Sequence, residues 1–277
     1  MRRHQTIRTA RIATGQIARL VLSALLATAL ILAVGSSSPV RSFTYEPEVD
    51  VELVLAVDVS QSMDDDEQEI QRRGYVSAIT SPQFMQAIKL GPIGRIVISY
   101  VEWGGQDEQF TVADWQLIEN EDDARSFAAK IAAAPLRHVQ RTSISSALMH
   151  ASVLMEDNGY QGLRKVIDIS GDGPNNQGGV VTASRDAVLA AGVTINGLPL
   201  MLKQKRVGWY HLPNLDHYYE DCVIGGPGSF AIPVNSLDGF ADAIRLKLVM
   251  EIAGLTPNPP GVMQAVGREV VPCNIFE

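Results

Sequence analysis

The chain has 277 residues, 46% apolar and 19% charged, enough to bury one large core or two small ones. Five of its 23 basic residues and none of its 31 acidic ones lie before residue 36, so the rest carries 18 bases against 31 acids, a formal net charge of −13. Such an acidic surface argues against nucleic acid or anionic lipid as an electrostatic partner, and no repeat period points to a solenoid.

The N-terminus has a composition of its own. Arg2, Arg3, Arg8, Arg11 and Arg19 precede a weakly polar to apolar run from Leu20 to Val34, with the small residues Gly35-Ser36-Ser37-Ser38 behind it. Residues 1–35 therefore read as a signal peptide or, if uncleaved, as a membrane anchor, because the apolar run of about 15 residues falls between the two lengths. In either case the basic flank stays in the cytoplasm and the remainder is exported, to the periplasm or beyond, with the inner membrane reached only through this segment. Residues 36–50 read as a linker, 51–253 as the folded domain and 254–277 as a Pro/Gly-rich tail.

From Val51 onward, strands and helices alternate. The run V-E-L-V-L-A-V-D-V-S-Q-S-M opens with a buried strand ending at Asp58. Residues 66–80 are helical in pattern, with Ile70, Gly74 and Ala78 on one side, and Ser81-Pro82 stops or resets the helix. Residues 94–103 predict a second buried strand, 109–118 an edge or antiparallel strand, and 122–134 a short Ala-rich helix. An amphipathic helix follows over 142–155 through Ile144, Leu148, Ala151 and Met155. Residues 163–170 predict a third buried strand, 180–191 a helix and 193–200 a fourth strand. The aromatic, turn-rich stretch 201–228 reads as an elaborated loop, 229–234 as a last short strand, and Leu237, Phe240, Ile244 and Leu248 mark a final helix ending near Gly254. The fold class is α/β: a doubly wound, mostly parallel sheet with one antiparallel edge strand and helices on both faces.

Three loops carry the chemistry. Asp58-x-Ser60-x-Ser62 ends the first strand with a carboxylate and two hydroxyls, all hard oxygen donors suited to magnesium, manganese or calcium. In an open α/β sheet the crevice beyond the carboxyl ends of the strands is where ligands bind. The same residues, with Asp64-Asp65-Asp66-Glu67 behind them, also suit a helix cap. Thr142 stands where the 142–155 helix begins, free to cap it or to turn to a metal. Asp172, between Gly171 and Gly173, closes the third strand, and alone would be an ordinary turn. Each loop borders a strand end on the same rim, and each offers only oxygen.

Together these segments resemble the metal ion-dependent adhesion site of von Willebrand factor type A domains, over about residues 51–253. The local wording V-D-V-S-x-S-M, D-I-S-G-D-G-P-N-N, V-I-G-G-P-G-S-F and R-L-K-L-V-M-E-I-A-G is similar to a bacterial exported branch of that superfamily with no assigned function. The resemblance implies a von Willebrand A (Rossmann-like) fold in which Ser60, Ser62 and Thr142 donate oxygens directly, and Asp58 and Asp172 directly or through water. An ion held by neutral hydroxyls keeps much of its charge, so an open coordination position favours an Asp or Glu carboxylate from a protein partner.

Other residues have quieter readings. Asp168, inside a buried strand, needs a partner and reads as structural support. Glu102, Trp103, Asn175 and Asn176 border the rim. His211, Asp216, His217, Glu220 and Cys222 crowd one loop without the spacing of a zinc site, and Gly225-Gly226-Pro227-Gly228 is a turn lacking the Lys of a phosphate cradle. Cys222 and Cys273 are the two cysteines, an even pair in an exported chain, which suggests a disulfide contributing about 4 kcal/mol in the chain-entropy account.

A metal-dependent protein-binding module, with no chemistry performed, is the leading functional expectation. A magnesium-dependent phosphatase or hydrolase using Asp58 as nucleophile is the alternative, weakened because only Arg72, Arg73 and Arg141 lie near the motifs and no proton donor is evident. Neither Ser60 nor Ser170 sits in a Gly-x-Ser-x-Gly elbow, which argues against a serine hydrolase. A metal-free domain binding through its loops is the third possibility.

Overall fold

A computed structural model describes residues 46–202, 212–257 and 270–275. The expected signal or anchor segment lies outside these residues, as do most of the tail and His211. The strands are β1 (Glu48–Asp58), β2 (Ile96–Trp103), β3 (Gln109–Ile118), β4 (Gln161–Gly171) and β5 (Val193–Pro199). The helices are α1 (Asp65–Ile79), α2 (Pro82–Lys89), α3 (Glu121–Ala133), α4 (Ile144–Leu154), α5 (Val181–Ala190), one turn α6 (Leu215–Tyr218) running into a π-helical turn (Tyr219–Val223), and α7 (Phe240–Ala253).

The sheet order is β3-β2-β1-β4-β5, parallel throughout except for the antiparallel edge pair of β2 and β3. The expected fold class is therefore observed. β1 is central, and its residues alternate between two cores: Leu53, Leu55 and Val57 face Tyr75, Phe127, Phe240 and Leu248, whereas Val54 and Ala56 face Leu148, Val188, Tyr218 and Tyr219. Burial on both faces explains why β1 reads as a continuous apolar run rather than an alternating one. It begins at Glu48, inside the segment expected as linker, where the Asp50 carboxylate accepts from the amides of Ile93 (2.9 Å), Gly94 (2.7 Å) and Arg95 (3.2 Å).

Helix starts follow local chemistry. Asp64 caps α1 in a reciprocal box with Glu67, and Asn120 does the same for α3 with Asp123, so these acidic runs serve as caps. Ser81-Pro82 resets the helix rather than stopping it: Ser81 caps α2 and Pro82 opens it. Gly74 lets α1 and α7 pack closely, since a β-carbon there would lie 2.7 Å from Ile244 Cδ1.

Two expectations need correction. Residues 229–234 form no strand; they make only isolated bridges, Gly197 to Ala231 and Leu200 to Val234, and Pro233 has no amide to extend a ladder. Leu237 precedes α7 and is 45% exposed, so the helix begins later than its apolar spacing suggested. The described part of the expected loop contains α6 and the π turn, and the Cys222–Cys273 disulfide joins it to the tail. Beside that bridge the Val271 amide donates to Asp221 Oδ2 at 2.9 Å. Among the described residues no helix is long and apolar enough to cross a membrane.

Asp168 is partnered from α7. Lys247 of α7, fully buried, lies 2.5 Å from Asp168 Oδ1 and also pairs with Glu251. Asn196 Nδ2 donates to Glu251 Oε1 at 3.0 Å, which ties α7 to β4 and β5. The support is thus structural, through a lysine far along the chain.

Candidate metal centre

The loops after β1 and β4 diverge to opposite faces, one into α1 and the other towards α5, so a crevice opens between two adjacent parallel strands at the switch point of the sheet. Asp58 closes β1 at its floor, fully buried, with Oδ1 accepting from the Ser60 amide at 2.7 Å. Ser60 is buried and Ser62 is exposed, and their hydroxyls lie 3.0 Å apart. Ser62 Oγ in turn donates to Asp172 Oδ1 at 2.5 Å. The first and third loops therefore meet through side-chain oxygens.

Thr142 joins from the second loop. Ser143, not Thr142, caps α4, accepting from the Ser146 amide at 3.3 Å, so the capping role weighed for Thr142 belongs to its neighbour. The Thr142 backbone is clamped to the third loop at both ends of its peptide: its amide donates to Asn176 Oδ1 at 2.9 Å, and its carbonyl accepts from the Asn176 amide at 2.8 Å. Asn175 Oδ1 accepts from the Ser145 amide at 3.0 Å. The Thr142 hydroxyl then faces Gly173, lying 4.0 Å from where a β-carbon on that residue would stand. Asn175 and Asn176, expected only to border the rim, hold two of its loops together.

Arg141, just before Thr142, adopts φ +69°, a left-handed conformation that costs a non-glycine residue about 1–2 kcal/mol. The neighbouring bonds hold it there, including the Ser143 amide to the Gly104 carbonyl at 2.7 Å. Gly104 has to be glycine for this approach, because a β-carbon would sit 2.0 Å from Val139 Cγ2. Val139 pairs with Ser60 in a parallel bridge and so extends the sheet under the first loop.

Glu102 lies behind the rim rather than on it. It is buried, 2.5 Å from Arg72 and 2.8 Å from Arg137, and Arg72 also donates to the carbonyls of Ala134 and Pro135. These bonds fix the segment leading to Val139. Trp103 is likewise buried. In the loop considered for zinc, Cys222 is spent on the disulfide, and no group of three His, Cys, Asp or Glu among the described residues is placed to hold a metal.

Burial, and then the nearby charge of Asp172, push the Asp58 carboxyl up to about 8, against the opposing pull of the Ser60 hydrogen bonds and the Asp172 amide. Asp58 Oδ2 is buried and has no hydrogen-bond partner of good geometry, although that amide is close enough to lower its pKa. Two carboxylates and three hydroxyls with an orphaned oxygen among them suit a hard divalent cation, whose charge would oppose both causes of the rise.

The chain matches, over residues 48–256, the family described as protein of unknown function (DUF1194). The chain belongs to the DUF1194 family. The DUF1194 domain is similar in fold to proximal thread matrix protein 1 from the mussel byssus, including a structure of that protein with a zinc-occupied metal ion-dependent adhesion motif (TM-score 0.55, 15% identity, covering 75% of this chain and 49% of that one). It is also similar to the pilus adhesin SpaC of Lactobacillus rhamnosus GG (TM-score 0.53, 14% identity, 74% of this chain and 31% of that one). A von Willebrand factor type A protein from Catenulispora acidiphila matches at TM-score 0.51 and 13% identity, over 74% of this chain and 43% of that one. The DUF1194 chain spans about half the length of the mussel protein. Comparison with curated proteins found no match. At these identities the likeness establishes the fold, a von Willebrand A-like α/β domain.

Proposed function

We propose that the domain is an exported, divalent-metal-dependent protein-binding module. Asp58, Ser60, Ser62, Thr142 and Asp172 hold the ion, magnesium in the first instance, with manganese or calcium as substitutes. The single observation that carries the reading is the junction of Ser60, Ser62 and Asp172 through oxygen contacts of 3.0 Å and 2.5 Å, with the orphaned Asp58 Oδ2 beneath it. When bound, the ion supplies a Lewis-acidic position at the rim. The protein's own part is to hold that position open beside the exposed Ser62 and the half-buried Asp172, where an Asp or Glu carboxylate of a protein partner docks. Adhesion or assembly outside the cytoplasmic membrane is the class of role this serves, in keeping with the adhesin and byssal proteins that share the fold.

The hydrolase reading has less to support it. A phosphoryl-transferring Asp58 needs cationic help, and Arg72 is committed to Glu102 and to two backbone carbonyls. Chelator-sensitive retention of envelope proteins on immobilised wild-type domain, lost with Asp58→Ala, together with no turnover of a phosphate ester in magnesium, is the expected outcome. Turnover abolished by Asp58→Ala would replace the binding reading with the enzymatic one.

A further inference from the structure

Beneath the loops of the candidate site lie Tyr218 and Tyr219, consecutive and fully buried, where α6 runs into the π turn. Their hydroxyls reach two of the loops. Tyr218 accepts from the Asn175 amide at 3.2 Å, three residues after Asp172. Tyr219 reaches the carboxyl end of β4, where Gly171 leaves a cradle: a β-carbon there would lie 2.8 Å from Asp58 Oδ2, 2.9 Å from the Tyr219 hydroxyl and 3.3 Å from Trp103 Cζ2. Three buried polar atoms in this neighbourhood, Asp58 Oδ2, Tyr219 Oη and Trp103 Nε1, have no hydrogen-bond partner of good geometry. A phenol donor and a carboxylate acceptor that each lack a partner and share one cradle are complementary.

The far end of the same element is covalently fixed. Cys222 lies within the π turn and is bonded to Cys273, and Val271, two residues before Cys273, packs in the core cluster that contains Tyr218 and Tyr219. π turns concentrate at functional sites because their extra residue re-aims a side chain. Here the turn is held by the Ile224 amide to the Tyr219 carbonyl at 2.9 Å, and the residue that opens it is Tyr219.

From this geometry we infer that Tyr219 is a positioning residue for the metal centre, its phenol serving the second oxygen of Asp58, and that the Cys222–Cys273 disulfide sets metal affinity through it. The inference rests on the reading of Asp58 as part of a metal centre. The order of connection is disulfide, π turn, Tyr219, Asp58, ion. Its chemical consequence is a site whose affinity depends on the oxidation state of a bridge in the loop-and-tail layer, so that the domain binds its ion best where disulfides persist.

Manganese titration by calorimetry, on wild type, Tyr219→Phe, the double variant Cys222→Ser/Cys273→Ser and the triple combination, tests this, with melting of each metal-free protein as a control on folding. Tyr219→Phe keeps the packed ring, and we expect it to weaken manganese binding about 10- to 100-fold while the metal-free melting temperature stays level or rises. The cysteine variant weakens binding as well, and adding Tyr219→Phe to it produces no further loss, since both act on one connection. Wild type that binds manganese alongside a Tyr219→Phe variant that binds within twofold overturns the inference and leaves the metal reading intact. Fully additive losses overturn the link to the disulfide. Wild type that takes up no manganese removes both readings at once. If the cysteine variant does not fold, the Tyr219→Phe comparison decides.

Discussion

Ser62 Oγ and Asp172 Oδ1 meet at 2.5 Å although 110 residues of chain separate them. That contact joins the loops of two parallel strands at the switch point, and it brings a second carboxylate close enough to Asp58 to raise its pKa. Burial and the charge of Asp172 thus both disfavour the ionised form of Asp58.

Removing that charge has a measurable consequence. Asp172→Asn keeps an acceptor for Ser62 and removes one charge, so the metal-free variant is expected to melt about 2–4 °C above wild type, corresponding to about 1 kcal/mol in a domain of this size. Manganese is expected to add nothing further. Differential scanning calorimetry with and without metal reads both effects.

The Gly171 cradle admits no side chain. Gly171→Ala places a β-carbon 2.8 Å from Asp58 Oδ2 and 2.9 Å from the Tyr219 hydroxyl, so one of them has to move. The expected cost is about 1–3 kcal/mol in urea unfolding, with weakened manganese binding in the protein that still folds.

The buried lysine carries a separate prediction. Lys247 lies against both Asp168 and Glu251, and Lys247→Met leaves buried Asp168 without its cation, and above a pH of about 8 Glu251 as well. A loss of about 3–5 kcal/mol in denaturant unfolding is expected. Adding Glu251→Gln and Asp168→Asn to that variant is expected to restore most of it, since a neutral hydrogen-bonded cluster tolerates burial.

Glu251 also sets a pH dependence. Burial first, then the charge of Asp168, raise its carboxyl to about 8, against the lowering effect of Lys247 and Asn196; Tyr75 of α1 and Arg164 of β4 are the other titratable groups facing this cluster. A carboxyl with a raised pKa keeps its proton when folded and loses it when unfolded between pH of about 4.5 and about 8. The unfolded state therefore binds fewer protons, and stability falls as pH rises through that window and levels off above it. Glu251→Gln is expected to flatten this fall, gaining most over wild type above pH 8 and least near pH 5, as read from melting curves across that range.

Much of this was legible in the sequence because the signals are local. A β-branched run ending in Asp58, a glycine-flanked Asp172 and alternating apolar periods each report on a few neighbouring residues, and a mostly parallel, helix-covered sheet follows from the alternation of strands with helices. The partner of Asp168 was hidden because Lys247 lies 79 positions along the chain, on a helix whose register the spacing of Leu237 and Phe240 had placed too early. Thr142 and Ser143 offer the same capping chemistry one residue apart, and only the backbone turn at Arg141 decides between them. Tyr219 could not be read at all, since the π turn sits in an aromatic stretch without period and the groups it meets, Gly171 and Asp58, lie far back along the chain.

The most direct test of the central claim is thermal unfolding of wild type and Asp58→Ala, each in manganese or magnesium and in chelator. With metal at about one hundred times its dissociation constant, wild type is expected to gain about 2.7 kcal/mol over the chelated protein, and Asp58→Ala to gain nothing. Equal melting of wild type in metal and in chelator, or a full metal-induced gain retained by Asp58→Ala, would contradict the account.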